Sequence, residues 1–171
     1  MTLAETIMAE AEREGKSTVR ILERVPDDKL DWAPHSKSMS IGQLAWHIAS
    51  LPKNAALGLR TGERDVSQSR PAPRPANAGD MVEAFRQNLA ELKAVLSEMD
   101  DAKLMSERFA FKRDGEVVTS FPKIAFLRTV LLNHSYHHRG QLTVYLRLLD
   151  IPVPAMYGTS ADENAFERRQ P

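Results

Sequence analysis

Apolar residues recur along the chain in four stretches at helical spacing. Leu3, Ile7, Met8, Ala11, Val19 and Leu22 fall mostly three or four apart with charges between them. That predicts an amphipathic helix from about Leu3 to Arg24. Val25-Pro26-Asp27-Asp28 stops it, because proline pushes the residue before it out of the helical region. A loop containing Trp32, Pro34 and His35 follows. Ser40 and Gln43 have the spacing of a capping box, and Ile41, Leu44, Ile48 and Leu51 form the stripe of a second helix. Apolar residues resume at Ala55, Ala56 and Leu57, so Pro52 is expected to kink this helix rather than end it. Met81, Phe85, Leu89, Leu92, Leu96 and Met99 predict a third helix over about Asp80 to Met99. The fourth is the longest. Thr119 or Ser120 caps it, Pro122 suits its first turn, and it runs to about Asp150, before Pro152 and Pro154.

The segments between helices read differently from one another. Residues 60–79 carry three prolines, two glycines and four arginines, the composition of a surface linker. Neither half beside it looks self-sufficient, so it is not read as a domain boundary. Arg108-Phe109-Ala110-Phe111-Lys112, then Asp114-Gly115, then Val117-Val118-Thr119 suggest a short β-hairpin, since Asp-Gly is a favoured two-residue turn. Four helices without an internal repeat, in 171 residues, predict an all-α fold: one four-helix bundle domain spanning 1–171. A chain of 19.2 kDa buries about 70% of its unfolded surface, enough for one core.

Charge and composition narrow the function classes. Lys+Arg and Asp+Glu both number 23, so the formal net charge is zero. Nucleic-acid binders usually show a basic excess or a basic face. Only the arginines of the linker, Arg60, Arg64, Arg70 and Arg74, hint at one. The N-terminus is acidic and amphipathic, unlike a signal peptide, and no apolar run approaches the ~20 residues of a membrane span. The expectation is a soluble cytoplasmic protein with a small-molecule substrate and neither nucleic acid nor membrane as partner. Cysteine is absent, which removes disulfides, thiolate metal sites and cysteine nucleophiles together. Any metal must then be held by His, Asp, Glu or backbone.

Five histidines occur, at 35, 47, 134, 137 and 138. On a helical wheel with His134 at 0°, Ile124, Leu127, Leu131, Leu142, Tyr145 and Leu149 fall between about 20° and 80°. His138 falls at about 40°, so both histidines sit on the stripe that faces the core. Imidazoles one turn apart can converge on a single ion, as in HExxH helices. A third ligand must come from elsewhere, and His47, between Leu44 and Leu51 on the second helix, can face inward. Hydrogen-bonded packing histidines are the alternative. His35 reads as a solvated loop residue. His137, near −60° beside Phe126, Val130, Val144 and Leu148, reads as packing or interface, or as an alternative ligand. That second apolar arc favours a homodimer. Asn133 and Gln141 flank the pair and are candidates to orient ring N–H groups, or else face solvent.

The run Asn133-His134-Ser135-Tyr136-His137-His138-Arg139-Gly140-Gln141-Leu142 resembles the N-H-x-x-H-H-R-G-Q signature of the DinB family. Ser40-Ile41-Gly42-Gln43-Leu44-Ala45-Trp46-His47-Ile48 is similar to that family's second helix. So is the tail, Pro152-Val153-Pro154 with Tyr157-Gly158-Thr159-Ser160-Ala161-Asp162-Glu163, although family members often have Pro where Thr159 stands. The resemblance implies an up-down-down-up four-helix bundle, often homodimeric. It implies His47, His134 and His138 as ligands of a divalent ion such as zinc or nickel. Some members of the family are transferases or isomerases that use a low-molecular-weight thiol.

Three functions compete on these grounds. The leading one is a metal-dependent transferase in which the ion activates the thiol of a small cofactor. A metal-dependent hydrolase would want a carboxylate base, for which only Asp162 and Glu163 in the tail offer themselves, and these otherwise read as solvated. The third is a non-catalytic, metal-stabilised stress-response or interaction module.

Overall fold

Thr2 accepts a hydrogen bond from the Glu5 backbone and Glu5 returns one to the Thr2 N–H, so α1 (Leu3–Leu22) starts almost at the chain's first residue. The structure is a computed structural model and describes residues 1–68 and 75–164. The expected box of Ser40 and Gln43 opens α2 (Ile41–Thr61), and Gly62, at φ 70°, closes it in the left-handed region. The loop before α2 is not merely a connection. Carbonyls of Trp32 and Leu30 accept from the first N–H groups of α2, at 2.8 and 3.0 Å. A Cβ on Gly42 would stand 2.8 Å from that Leu30 oxygen, so only glycine fits there. Pro52 lies inside α2 without ending it. Close by, Asn88 Nδ2 donates to the Ala49 carbonyl at 2.9 Å, a side chain serving the backbone near the missing proline N–H.

Asn77 caps α3 (Ala78–Ser97) through Asp80 N, and Asp100 caps the short α4 (Asp101–Ser106) through Lys103 N. The sequence pattern missed α4, because six residues with one buried side chain, Leu104, carry no periodicity. The hairpin forms as β2 (Arg108–Arg113) and β3 (Glu116–Pro122), paired antiparallel. Asp114 and Gly115 both have positive φ, 53° and 85°, which the favoured two-residue hairpin turn demands.

The linker reading of 60–79 needs correction in its first part. Glu63–Asp65 form a strand, β1, parallel to β2, with Glu63 opposite Ala110. Three charged residues show no apolar alternation, so nothing in the pattern announces a strand; pairing to the β2 backbone makes it one. The Asp65 carboxylate then accepts from Ser67 N, Ser67 Oγ and Gly115 N at 2.9, 2.6 and 2.7 Å, pinning the segment to the hairpin turn. Arg70 and Arg74 lie outside the described residues.

The last helix begins later than expected. Thr119 and Ser120 are taken by β3, and Pro122 is the cap of α5 (Lys123–Phe126). A π-helical stretch over Leu127–Asn133 follows, then α6 (His134–Leu148), and the joints at Leu127 and His134 keep helical dihedrals. The three pieces make one continuous rod. It ends on Asp150 at φ 56°, with Ile151 N donating to Leu146 O and Asp150 N to Arg147 O, a Schellman closure.

Mostly helical, the molecule packs α1, α2, α3 and the rod around two apolar clusters, with the small sheet at one end. One cluster takes Ala55, Ala56 and Leu59 of α2 with Phe109, Phe126, Leu127 and Leu131. The other takes Ile41 to Ala49 of α2 with Leu142, Leu146 and Val153. Phe109 stacks on Phe126 with centroids 4.0 Å apart, and Gly58 leaves room for both. A Cβ there would stand 2.8 Å from Phe126 Cε1 and 3.0 Å from Phe109 Cε2. Gly58→Ala is therefore expected to destabilise the fold by about 1–3 kcal/mol despite its better helix propensity. Thermal unfolding would show a Tm about 2–12 °C lower.

Candidate metal centre

On the rod, the histidines fall where one apolar cluster gives way to the other, between Leu132 and Leu142. His134 is the first residue of α6, just past the π-helical stretch, so His134 and His138 keep true i,i+4 geometry. His47 comes from the facing α2. The structure brings these three together: their nitrogens lie within 4.8 Å of one another, with His138 buried and the other two half-buried. His47 Nε2 and His138 Nε2 are each 2.9 Å from His134 Nε2. Two nitrogens bound about 2.0–2.1 Å from one ion are separated by about 3.0–3.4 Å, so the cluster is close to ligand spacing.

The hydrogen-bond arithmetic of the cluster does not close by itself. Gln141 Oε1 stands 2.7 Å from His138 Nδ1 and, as an acceptor, keeps the proton there. The lone pair of His138 is then on Nε2, facing His134 Nε2. That one His134 nitrogen faces both neighbours, and it carries either a hydrogen or a lone pair. It satisfies one contact well and leaves the other poorly made. A single cation satisfies all three lone pairs, so the donor set suits a divalent ion that accepts imidazole nitrogen.

Electrostatics keeps the rings neutral, the form a metal needs. Burial, then the charges of His138, His134 and Arg64, holds His47 down to about 4. Burial and the neighbouring histidines also lower His134. Burial lowers His138 against the opposing effect of its Gln141 hydrogen bond.

The other sequence candidates stand apart. His35 is exposed in its loop and accepts from Lys37 N at 3.1 Å. His137 is exposed, its ring 4.9 Å from that of His138. Asn133 is exposed and makes no side-chain cap to α6, whereas Gln141 meets His138 as described. Asp162 accepts from Arg147 and from Val153 N, and Glu163 from Arg20, Arg24 and Ala155 N. These two carboxylates latch the tail to α1 and α6, and neither joins the histidine cluster.

Sequence reasoning missed Arg139. It is 1% exposed and turns toward α1, about 100° around the helix from His138. Its guanidinium donates to Glu14 O at 2.8 Å, to Glu14 Oε2 at 2.5 Å and to the Tyr157 hydroxyl, and it lies 5.3 Å from the Tyr136 ring centre. Burial would raise the Glu14 carboxyl, but hydrogen bonds from Arg139 and Tyr157 outweigh it and leave it lowered. The one available signal was its place inside the histidine run.

These features define a class first: a mostly helical protein with three histidines, from two helices, that could hold a metal ion. The chain belongs to the DinB family, whose family model matches residues 1–170. It is 30% identical over 156 residues to the uncharacterized protein YrdA of Bacillus subtilis (strain 168), covering 89% of this chain and 86% of that protein. The crystal structure of a DinB-like protein from Bacillus cereus ATCC 10987 matches with a TM-score of 0.67 and 26% identity, over 90% of this chain and 97% of that one. A DinB-like protein of Bacillus subtilis, YjoA, shares the fold at a TM-score of 0.65 and 20% identity, over 87% and 96% of the two chains. No helix among the described residues is long and apolar enough to cross a membrane.

Two measurements check this geometry. Removing the Arg139 guanidinium leaves Glu14 charged and largely buried, so Arg139→Ala should cost about 3–5 kcal/mol in a urea titration. The lowered histidines set a pH window for the metal-free protein. Unfolded histidine titrates near about 6.5, and His47 in the fold near 4. Between these values the unfolded chain binds protons that the folded one refuses, so stability falls as pH drops from about 6.5 toward 4. The Tm of the metal-free protein should fall over that range, and that of a His47/His134/His138→Ala triple variant should fall less. Parallel curves would remove the cluster as the cause.

Proposed function

We propose that His47, His134 and His138 hold a divalent ion, zinc or nickel, and that the protein is a metal-dependent enzyme using a small-molecule thiol as a transferase. The carrying observation is the convergence of three Nε2 lone pairs on a point that hydrogen bonding alone cannot satisfy. When bound, such an ion acts as a Lewis acid that lowers the pKa of a coordinated thiol or water. Three protein ligands leave coordination positions open, the arrangement of catalytic rather than structural sites. Gln141 holds the His138 ring in the tautomer that presents Nε2. Burial of the site keeps all three imidazoles deprotonated at neutral pH.

A thiol is favoured over water by what surrounds the histidines. Among the described residues no carboxylate oxygen joins the cluster. Asp162 and Glu163, the bases a hydrolase would want, are spent on the tail. A cysteine-free chain takes its thiol from a cofactor. This reading groups α1, α2, α3 and the rod as a four-helix bundle in up-down-down-up order, within one domain and in the cytoplasm. It also retains a homodimer, supported by Val144 and Leu148, which stand 56% and 58% exposed beside His137 on the last helix.

Elemental analysis of the purified protein should find about one zinc or nickel per chain. His138→Ala should lose it while the circular dichroism spectrum stays helical, and His137→Ala should keep it. Stoichiometric metal in the His138 variant would overturn the ligand assignment.

A further inference from the structure

A cavity of about 430 Å³ lies between α2, the rod and the small sheet, the size of a small-molecule site. Among the described residues no histidine lines it, so it is separate from the candidate metal centre. Its walls are fixed before any ligand arrives. Phe109 and Phe126, each 1% exposed and stacked with centroids 4.0 Å apart, form a rigid floor. Phe111 meets Phe109 edge-on at 5.0 Å and is half-buried, so part of its ring stays uncovered. Val130 of the rod is also half-buried, and Leu57 of α2 is 54% exposed. The Asp65 latch holds β1 against the hairpin turn. A preformed apolar slot of this kind costs a ligand little ordering of the protein.

The polar groups of the lining divide into spent and unspent. Glu63 pairs with Lys112 at 2.6 Å. The Asp65 carboxylate accepts from Ser67 and Gly115. Arg64 is engaged as well. The Thr61 hydroxyl proton is taken by carbonyls, Leu57 O at 3.0 Å and Glu63 O at 2.8 Å. Asn54 differs. It is half-buried on α2, lines the cavity, and its amide makes no hydrogen bond among the described residues. A carboxamide offers two donors and an acceptor on one planar group. The charges are therefore occupied, and the free recognition chemistry is neutral.

We propose that this cavity is a binding site for a small uncharged aromatic molecule carrying an amide-like edge. The ring lies against Phe111, Leu57 and Val130. The edge pairs with Asn54, each amide donating an N–H to the other's oxygen. An anion gains no free cation there and meets the carboxylates of Glu63 and Asp65, so it is disfavoured. The proposal stands apart from the metal reading, since it uses none of the three histidines.

The test uses three flat probes of nearly equal size: benzamide, acetophenone, which lacks the N–H donors, and benzoate, which carries a charge. Each is titrated into the full-length protein and followed by amide NMR shifts. Benzamide should saturate a single site, with the shifts centred on Gly58, Thr61, Phe111 and the Asn54 side-chain amide. It should bind about fivefold tighter than acetophenone, the worth of one neutral hydrogen bond. Benzoate should bind about tenfold weaker than benzamide. Asn54→Leu should bring benzamide and acetophenone within about twofold of each other and leave acetophenone's own affinity unchanged. Because the Asn54 amide has no protein partner to orphan, this variant should fold, which circular dichroism checks. Leu57→Trp, at an exposed rim position, should weaken benzamide and acetophenone alike by filling the mouth. No saturation, shifts centred on the histidines, tightest binding by benzoate, or a benzamide preference that survives Asn54→Leu would each overturn the proposal.

Discussion

The guanidinium of Arg139 is a full charge buried midway along the molecule, and such a charge persists only when paired and hydrogen-bonded. Its partners come from two parts of the chain: α1, with the backbone and carboxylate of Glu14 and the Thr18 hydroxyl one turn on, and the tail, with the Tyr157 hydroxyl. Satisfying it sets the rotation of α6 against α1 and holds the tail across that contact. His138 is the next residue back along the helix. Once Arg139 is turned to α1, His138 is turned to α2, where His47 waits.

A polar layer results between two apolar clusters. On one side lie Arg139, Glu14 and Thr18, with Tyr136 donating to Glu10 nearby. On the other lie the three histidines. Such a layer costs stability unless each group finds its partner. The arginine side closes almost completely with protein groups, leaving only Arg139 Nε without one among the described residues. The histidine side does not close, because one His134 nitrogen faces two others. The unequal satisfaction of the two sides separates a half of the layer that closes on itself from a half that could hold a metal ion.

The same rod carries the histidines and lines part of a separate cavity of about 430 Å³ beside the small sheet. Its N-terminal part, through Phe126 and Val130, shapes the cavity, and its C-terminal part presents the imidazoles. The π-helical stretch lies between them. Such stretches are frequent at functional sites, since an extra residue per turn lets two parts of one helix keep different faces inward. The sheet adds the opposite wall. β1 brings Arg64 to it, while the Asp65 latch holds that short strand to the hairpin turn.

What could be read from the residues alone was what depends on neighbours close in sequence. The capping box at Ser40, the apolar stripes of the long helices and the Asp-Gly turn are local devices, and each formed where its residues stood. The i,i+4 histidine pair on an apolar stripe was legible for the same reason, and His47 was reachable because its own stripe pointed inward. The rest needed contacts distant in sequence. Arg139 falls at about 140° on the wheel, off the apolar stripe, and reads as solvated; α1 and the tail bury it. Glu63–Asp65 carry no strand pattern and become one only beside β2. Asp162 and Glu163 could have been bases or solvated ends, and became latches because Arg20, Arg24 and Arg147 meet them. Periodicity records which face of an element is apolar. Which charged group finds its partner is decided only when the elements meet.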